Sequence, residues 1–148
     1  MLTFFAALTI GFFLSLFFIK QYDQYNGIKI SNNGEELYFI QYGVFSSVES
    51  MEENTISLQN YVYNEENNQY FVYVGITKEK DNANKIVAYY KELGYDTIIK
   101  NFSITSKQFL ELLVNYDSIL KQTDDETAIS SIINQVLMKY EEVVINGN

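Results

Sequence analysis

Apolar and polar positions divide the 148-residue chain into stretches of different character. Leu2 to Ile19 carries no charge, and its apolar side chains go all the way round a helix. A helix needs roughly 17–25 apolar residues to cross a bilayer, and an amphipathic surface helix would keep one polar face. A cleaved leader would need a basic start and a small-x-small cleavage site, and neither is present around Phe17-Phe18-Ile19-Lys20-Gln21. Residues 1–20 are therefore expected to form an uncleaved transmembrane anchor. Residues 21–36 are a polar linker containing Asn26-Gly27 and Asn32-Asn33-Gly34.

The next stretch contains a pattern that occurs twice. Tyr38-Phe39-Ile40-Gln41-Tyr42-Gly43 is echoed by Tyr70-Phe71-Val72-Tyr73-Val74-Gly75. In each copy an aromatic, β-branched run meets a glycine, and a hydroxyl residue follows (Ser46, Thr77). That order reads as a strand, a turn glycine and a helix cap. The pattern predicts strands at Leu37–Phe45, Tyr61–Tyr63, Gln69–Ile76 and Thr97–Ile104. Residues 64–68 have the composition of a hairpin loop. One helix starts at a Ser46/Glu49 capping box. The other runs Lys78–Leu93 behind Thr77, with Gly94 at its C-terminal cap. The fold class is thus α+β. Residues 37–104 form a β-α-β-β-α-β unit, a four-stranded antiparallel sheet of ferredoxin-like type with both helices on one face. The repeated strands take the two central places.

Residues 105–148 are expected to form a C-terminal helical hairpin. Thr105/Gln108 and Thr123/Glu126 have capping-box spacing, and each introduces an apolar stripe: Phe109, Leu112, Leu113, Tyr116, Ile119 and Leu120, then Ile129 to Val144. These stripes need a home on the domain, on a protein partner, or on a second copy of the hairpin.

Composition narrows the chemistry. The sequence contains no Cys, His, Pro, Trp or Arg. Disulfides, Cys or His zinc sites, and histidine-based catalysis are excluded. The net charge of −9 makes nucleic acid a poor partner. Glycoside cleavage usually requires two carboxylates across a cleft, whereas acidic residues here fall in loops, caps and helix surfaces. The reading is of a non-enzymatic chain that needs no cofactor and no metal.

At Gln41-Tyr42-Gly43-Val44-Phe45-Ser46 the sequence resembles the SPOR (sporulation-related repeat) domain, and Tyr70 to Gly75 with Leu93-Gly94-Tyr95-Asp96 continues the likeness. The resemblance covers roughly residues 37–104. It implies a non-catalytic module of the bacterial cell envelope, linked to cell division or sporulation, that binds peptidoglycan glycan strands stripped of their stem peptides. It also implies a cytoplasmic N-terminus and an extracytoplasmic C-terminal domain, with a single pass through the cell membrane at residues 2–19.

Alternation along a strand then selects the glycan-binding candidates. Ile40, Val72 and Val74 belong under the helices, which leaves Phe39, Gln41, Phe71 and Tyr73 on the open face. Ile99 joins them, with Thr97 and Asn101, if the fourth strand keeps the same parity, and the resemblance adds Gln69. Aromatic rings suit the C–H faces of sugars, and the Gln41 amide can both donate to and accept from hydroxyls and acetamides. The alternative is that the hairpin of residues 105–145 covers this face or binds a protein partner, making the chain a membrane-anchored interaction or scaffold module.

Overall fold

The computed structural model describes residues 34–147. The expected anchor and nearly all of the linker lie outside them. Among the described residues no helix is long and apolar enough to cross a membrane.

Four strands, β1 (Glu35–Phe45), β2 (Val62–Glu66), β3 (Gln69–Thr77) and β4 (Ile98–Ile104), form one antiparallel sheet in the order β2-β3-β1-β4. The two repeated stretches are the central strands. Helix α1 (Val48–Thr55) follows β1, and α2 (Lys80–Glu92) follows β3. Helices α3 (Lys107–Gln122) and α4 (Glu126–Tyr140) form the hairpin, and a π-helical turn at Glu141–Ile145 ends it.

Local chemistry explains the boundaries. Helix α1 is capped by Ser47, whose hydroxyl accepts from the Ser50 N–H at 3.1 Å. Ser106 and Asp125 cap α3 and α4 in the same way. Each cap thus falls one or two residues after the residue expected from box spacing. The β2–β3 connection is tighter than the composition suggested. Only Asn67 and Asn68 turn, both in the left-handed region (φ 52° and 59°). That suits a two-residue hairpin of type I′, and the strands continue through Glu66 and Gln69.

The glycines of the repeat are not turn residues. Gly43 and Gly75 lie inside β1 and β3, which run on to Phe45 and Thr77. Gly75 leaves room for helix α2: a Cβ there would stand 2.8 Å from Cγ2 of Ile86. The same imaginary carbon lies 3.6 Å from Cβ of Ile40, so Ile40, Gly75 and helix α2 share one face of the sheet.

Residues 38–40 of β1 face residues 75–77 of β3 in regular register. Gln41 then faces Tyr73, leaving Val74 without an opposite residue, and Gly43 faces Val72, leaving Tyr42 without one. These two bulges flank the motif glutamine.

Candidate glycan-binding face

The face opposite α2 is built from β1 positions 37, 39 and 41 and their cross-strand partners. Leu37 pairs with Phe102, Phe39 with Ile76 and Lys100, and Gln41 with Tyr73 and Ile98. Directly opposed residues point to the same side of a sheet. Phe39, Gln41 and Tyr73 are therefore brought to one face, but not left open on it: Phe39 and Tyr73 are 2% and 6% exposed, with ring centroids 5.4 Å apart at 76°. Phe71 precedes Tyr73 by two positions and pairs with Val44. Gln69 starts the same strand, exposed, opposite Glu66.

Ile99 does not belong to this group. It pairs with Ile40, and Asn101 pairs with Tyr38, so both lie on the helix side. The fourth strand is offset by one from the assumed parity. Since the side-chain period is two, that offset moves every residue of β4 to the other face. Ile98, Lys100 and Phe102 take the places expected for residues 97, 99 and 101.

The C-terminal hairpin covers one half of the face. Tyr140, at the end of α4, packs edge-on against Phe39 (5.5 Å, 78°) and against Phe109 of α3 (5.3 Å, 72°). Leu37, Phe39 and Ile76 are buried. Much of the apolar stripes of α3 and α4 is buried, including Phe109, Leu113, Leu120, Ile132, Val136 and Leu137, while Leu112 and Ile119 are half-buried and Met138 is exposed. Burial also moves the phenols. Desolvation first, then Tyr140 and Glu66 nearby, pushes Tyr73 up to about 12, and desolvation raises Tyr140.

The other half is open. Val44, Ile98 and Phe102 are 40%, 53% and 41% exposed, and Phe71 is half-buried. Gln41 lies at the boundary. It is 7% exposed, and its side-chain amide makes no hydrogen bond with another described residue. Among the described residues no acidic group offers a metal site.

Two residues that fix this arrangement carried no motif. Asp117 of α3 accepts from the Thr77 hydroxyl, from the Lys78 N–H at 2.8 Å, and more weakly from the Asn82 amide. It ties down the residues just ahead of α2, where Glu79 makes no side-chain cap bond and the Glu79 N–H donates to the Thr77 hydroxyl at 3.1 Å. Desolvation outweighs those hydrogen bonds and raises its carboxyl to about 6. Lys85 of α2 donates to the Leu120 and Thr123 carbonyls at 2.9 and 2.7 Å, closing the C-terminal end of α3. The only sequence signal for either was a charge within an otherwise helical pattern.

No family model and no curated protein matches the chain. Among solved structures, the chain is similar to the solution structure of the peptidoglycan binding domain of the B. subtilis cell wall lytic enzyme CwlC. The two are 27% identical over 52% of this chain and 100% of that one, with a TM-score of 0.41.

Proposed function

We propose that this chain is a non-catalytic peptidoglycan-binding protein that holds denuded glycan strands against the open half of its sheet, around Gln41. The observation that carries this reading is the position of the Gln41 amide. The Gln41 residue is 7% exposed, its amide has no partner among the described residues, and it is bordered by the exposed Val44 and Ile98 and the half-buried Phe71. A sugar ring would lay its C–H face on those side chains and present a hydroxyl or acetamide to the amide. The motif resemblance at residues 41–46 supports the same ligand class. Within this reading, residues 2–19 anchor the chain in the cell membrane and residues 34–147 lie outside it, in a role linked to cell division or sporulation.

The test is co-sedimentation of the full-length chain, in detergent, with purified sacculi before and after amidase treatment. Binding should rise after stem peptides are removed, and Gln41→Ala should weaken it about tenfold, the worth of one well-placed hydrogen bond. Failure to sediment with treated sacculi would overturn the proposal. In the competing scaffold reading the hairpin covers this face or binds a partner; it covers one half of the face through Tyr140, and most of its apolar stripes, though not Leu112, Ile119 or Met138, are buried within the domain.

A further inference from the structure

Docking of the hairpin does more than cover part of the sheet. It creates a cleft on the helix side, where α4 faces α2 and the segment of residues 57–60 that leads into β2. The cleft is a shallow, largely open groove of about 480 Å³. A smaller recess of about 220 Å³ continues from it, sharing Gln59, Tyr89, Ser130 and Asn134.

The lining mixes polar and apolar surface and is almost uncharged. It carries side-chain amides (Gln59, Asn134, Gln135) and the hydroxyls of Ser130 and its neighbours, and its one ionisable carboxylate is that of Glu126. No Lys lines it, so phosphate and other anionic ligands find no counter-charge. Several hydrogen-bonding groups are only partly engaged. The Gln59 Oε1 accepts from the Ser130 hydroxyl at 3.0 Å, while the Gln59 amino group has no partner among the described residues. Asn134 uses only its backbone carbonyl, which accepts from the Asn60 amide at 3.4 Å, and its side-chain amide is free among the described residues. One wall is aromatic. Tyr89 is half-buried and braced edge-on against the buried Tyr90, with centroids 5.2 Å apart.

We propose that this cleft is a saccharide site, separate from the sheet face, that takes an uncharged N-acetylated oligosaccharide. Such a ligand offers hydroxyls to the amides, an acetamide that both donates and accepts, and flat C–H faces for the Tyr89 ring. An extended peptide fits less well, because no strand edge is available in the cleft to pair with its backbone. The inference does not rest on the sheet-face reading.

The experiment is an NMR titration of the full-length, isotope-labelled chain in detergent micelles with N-acetylglucosamine tetramer, and with maltotetraose as the sugar without acetamides. The acetylated tetramer should shift the Gln59 and Asn134 side-chain amide signals saturably, and maltotetraose should shift them less. Tyr89→Ala and Asn134→Ala should each weaken binding about tenfold, whereas Gln41→Ala should leave it unchanged. Asn134→Ala lies at a helix position with no side-chain bond to lose, so it separates binding from folding. Shifts confined to the sheet face would overturn the proposal. So would no shift at millimolar sugar, or stronger shifts with a glycine–alanine peptide than with the tetramer.

Discussion

Tyr140 stands edge-on to Phe39 with ring centroids 5.5 Å apart, which joins the last helix of the chain to the first strand of the sheet. Phe39 also meets Tyr73 and Phe102, so a cluster of four rings runs from the covered half of the sheet face to the exposed Phe102. Removing one member leaves a void that neighbouring rings fill only in part. Tyr140→Ala should destabilise the fold by about 2–3 kcal/mol, allowing for its half-buried position. Urea unfolding followed by circular dichroism would measure this. A change below about 0.5 kcal/mol would mean that the contact is not maintained in solution.

The hairpin is a structural part of the domain. Without residues 105–148, Leu37, Phe39 and Ile76 would face water, each forfeiting roughly 1.5–3 kcal/mol of burial. Their sum approaches the whole stability of a typical domain, about 5–15 kcal/mol. The truncated chain should therefore lose its dispersed NMR spectrum. A well-folded truncation would contradict the packing described.

Asp117 gives the fold a pH dependence of defined sign. Its carboxyl titrates at about 6 in the folded chain, against an ordinary value near 3.8. Between those values the folded chain retains a proton that the unfolded chain has released. Stability should therefore fall as pH rises through this window, by about 3 kcal/mol at most. Thermal melts across that range should show the fall, and Asp117→Asn should flatten it relative to the parent chain.

Gly75 is confined by helix α2. A methyl group at this position would begin 2.8 Å from Ile86 and force the helix or the side chain to move. Gly75→Ala should cost about 1–3 kcal/mol, and pairing it with Ile86→Ala should recover part of the loss. Denaturation of the single and double variants would reveal the coupling.

The Asn67-Asn68 turn leaves room for improvement. Both residues have positive φ, and glycine is favoured at the second place of such a turn. Asn68→Gly should stabilise the chain by a few tenths of a kcal/mol up to about 1 kcal/mol, readable as a higher denaturation midpoint.

The sheet was legible in the sequence because its central strands are aromatic, β-branched and repeated, and because alternation over Tyr38 to Gln41 fixes their faces. Helix caps were legible to within one or two residues, since neighbouring hydroxyl and acidic residues compete for each cap. The role of Gly75 was hidden because a strand glycine beneath a helix looks, in sequence alone, like a turn glycine. The face of β4 was also hidden: its parity depends on register against β1, and Thr97 to Ile104 alternates too weakly to declare it. Asp117 and Lys85 could not be recognised because their partners lie 35 to 40 positions away. The cleft is lined by residues from three separate segments and leaves no pattern in any one of them.

The two bulges around Gln41 act on the strand pair like a pair of compensating frameshifts. Val74 is the surplus residue on one strand and Tyr42 on the other, and the pairing after them resumes the alignment it had before. Loss of either residue alone would put the remainder of one strand out of phase, turning buried side chains toward solvent. Loss of both would restore the phase and leave a straighter ladder. Length changes in these two strands are therefore tolerable only in concert, and a lone one-residue indel should be more damaging than the double one.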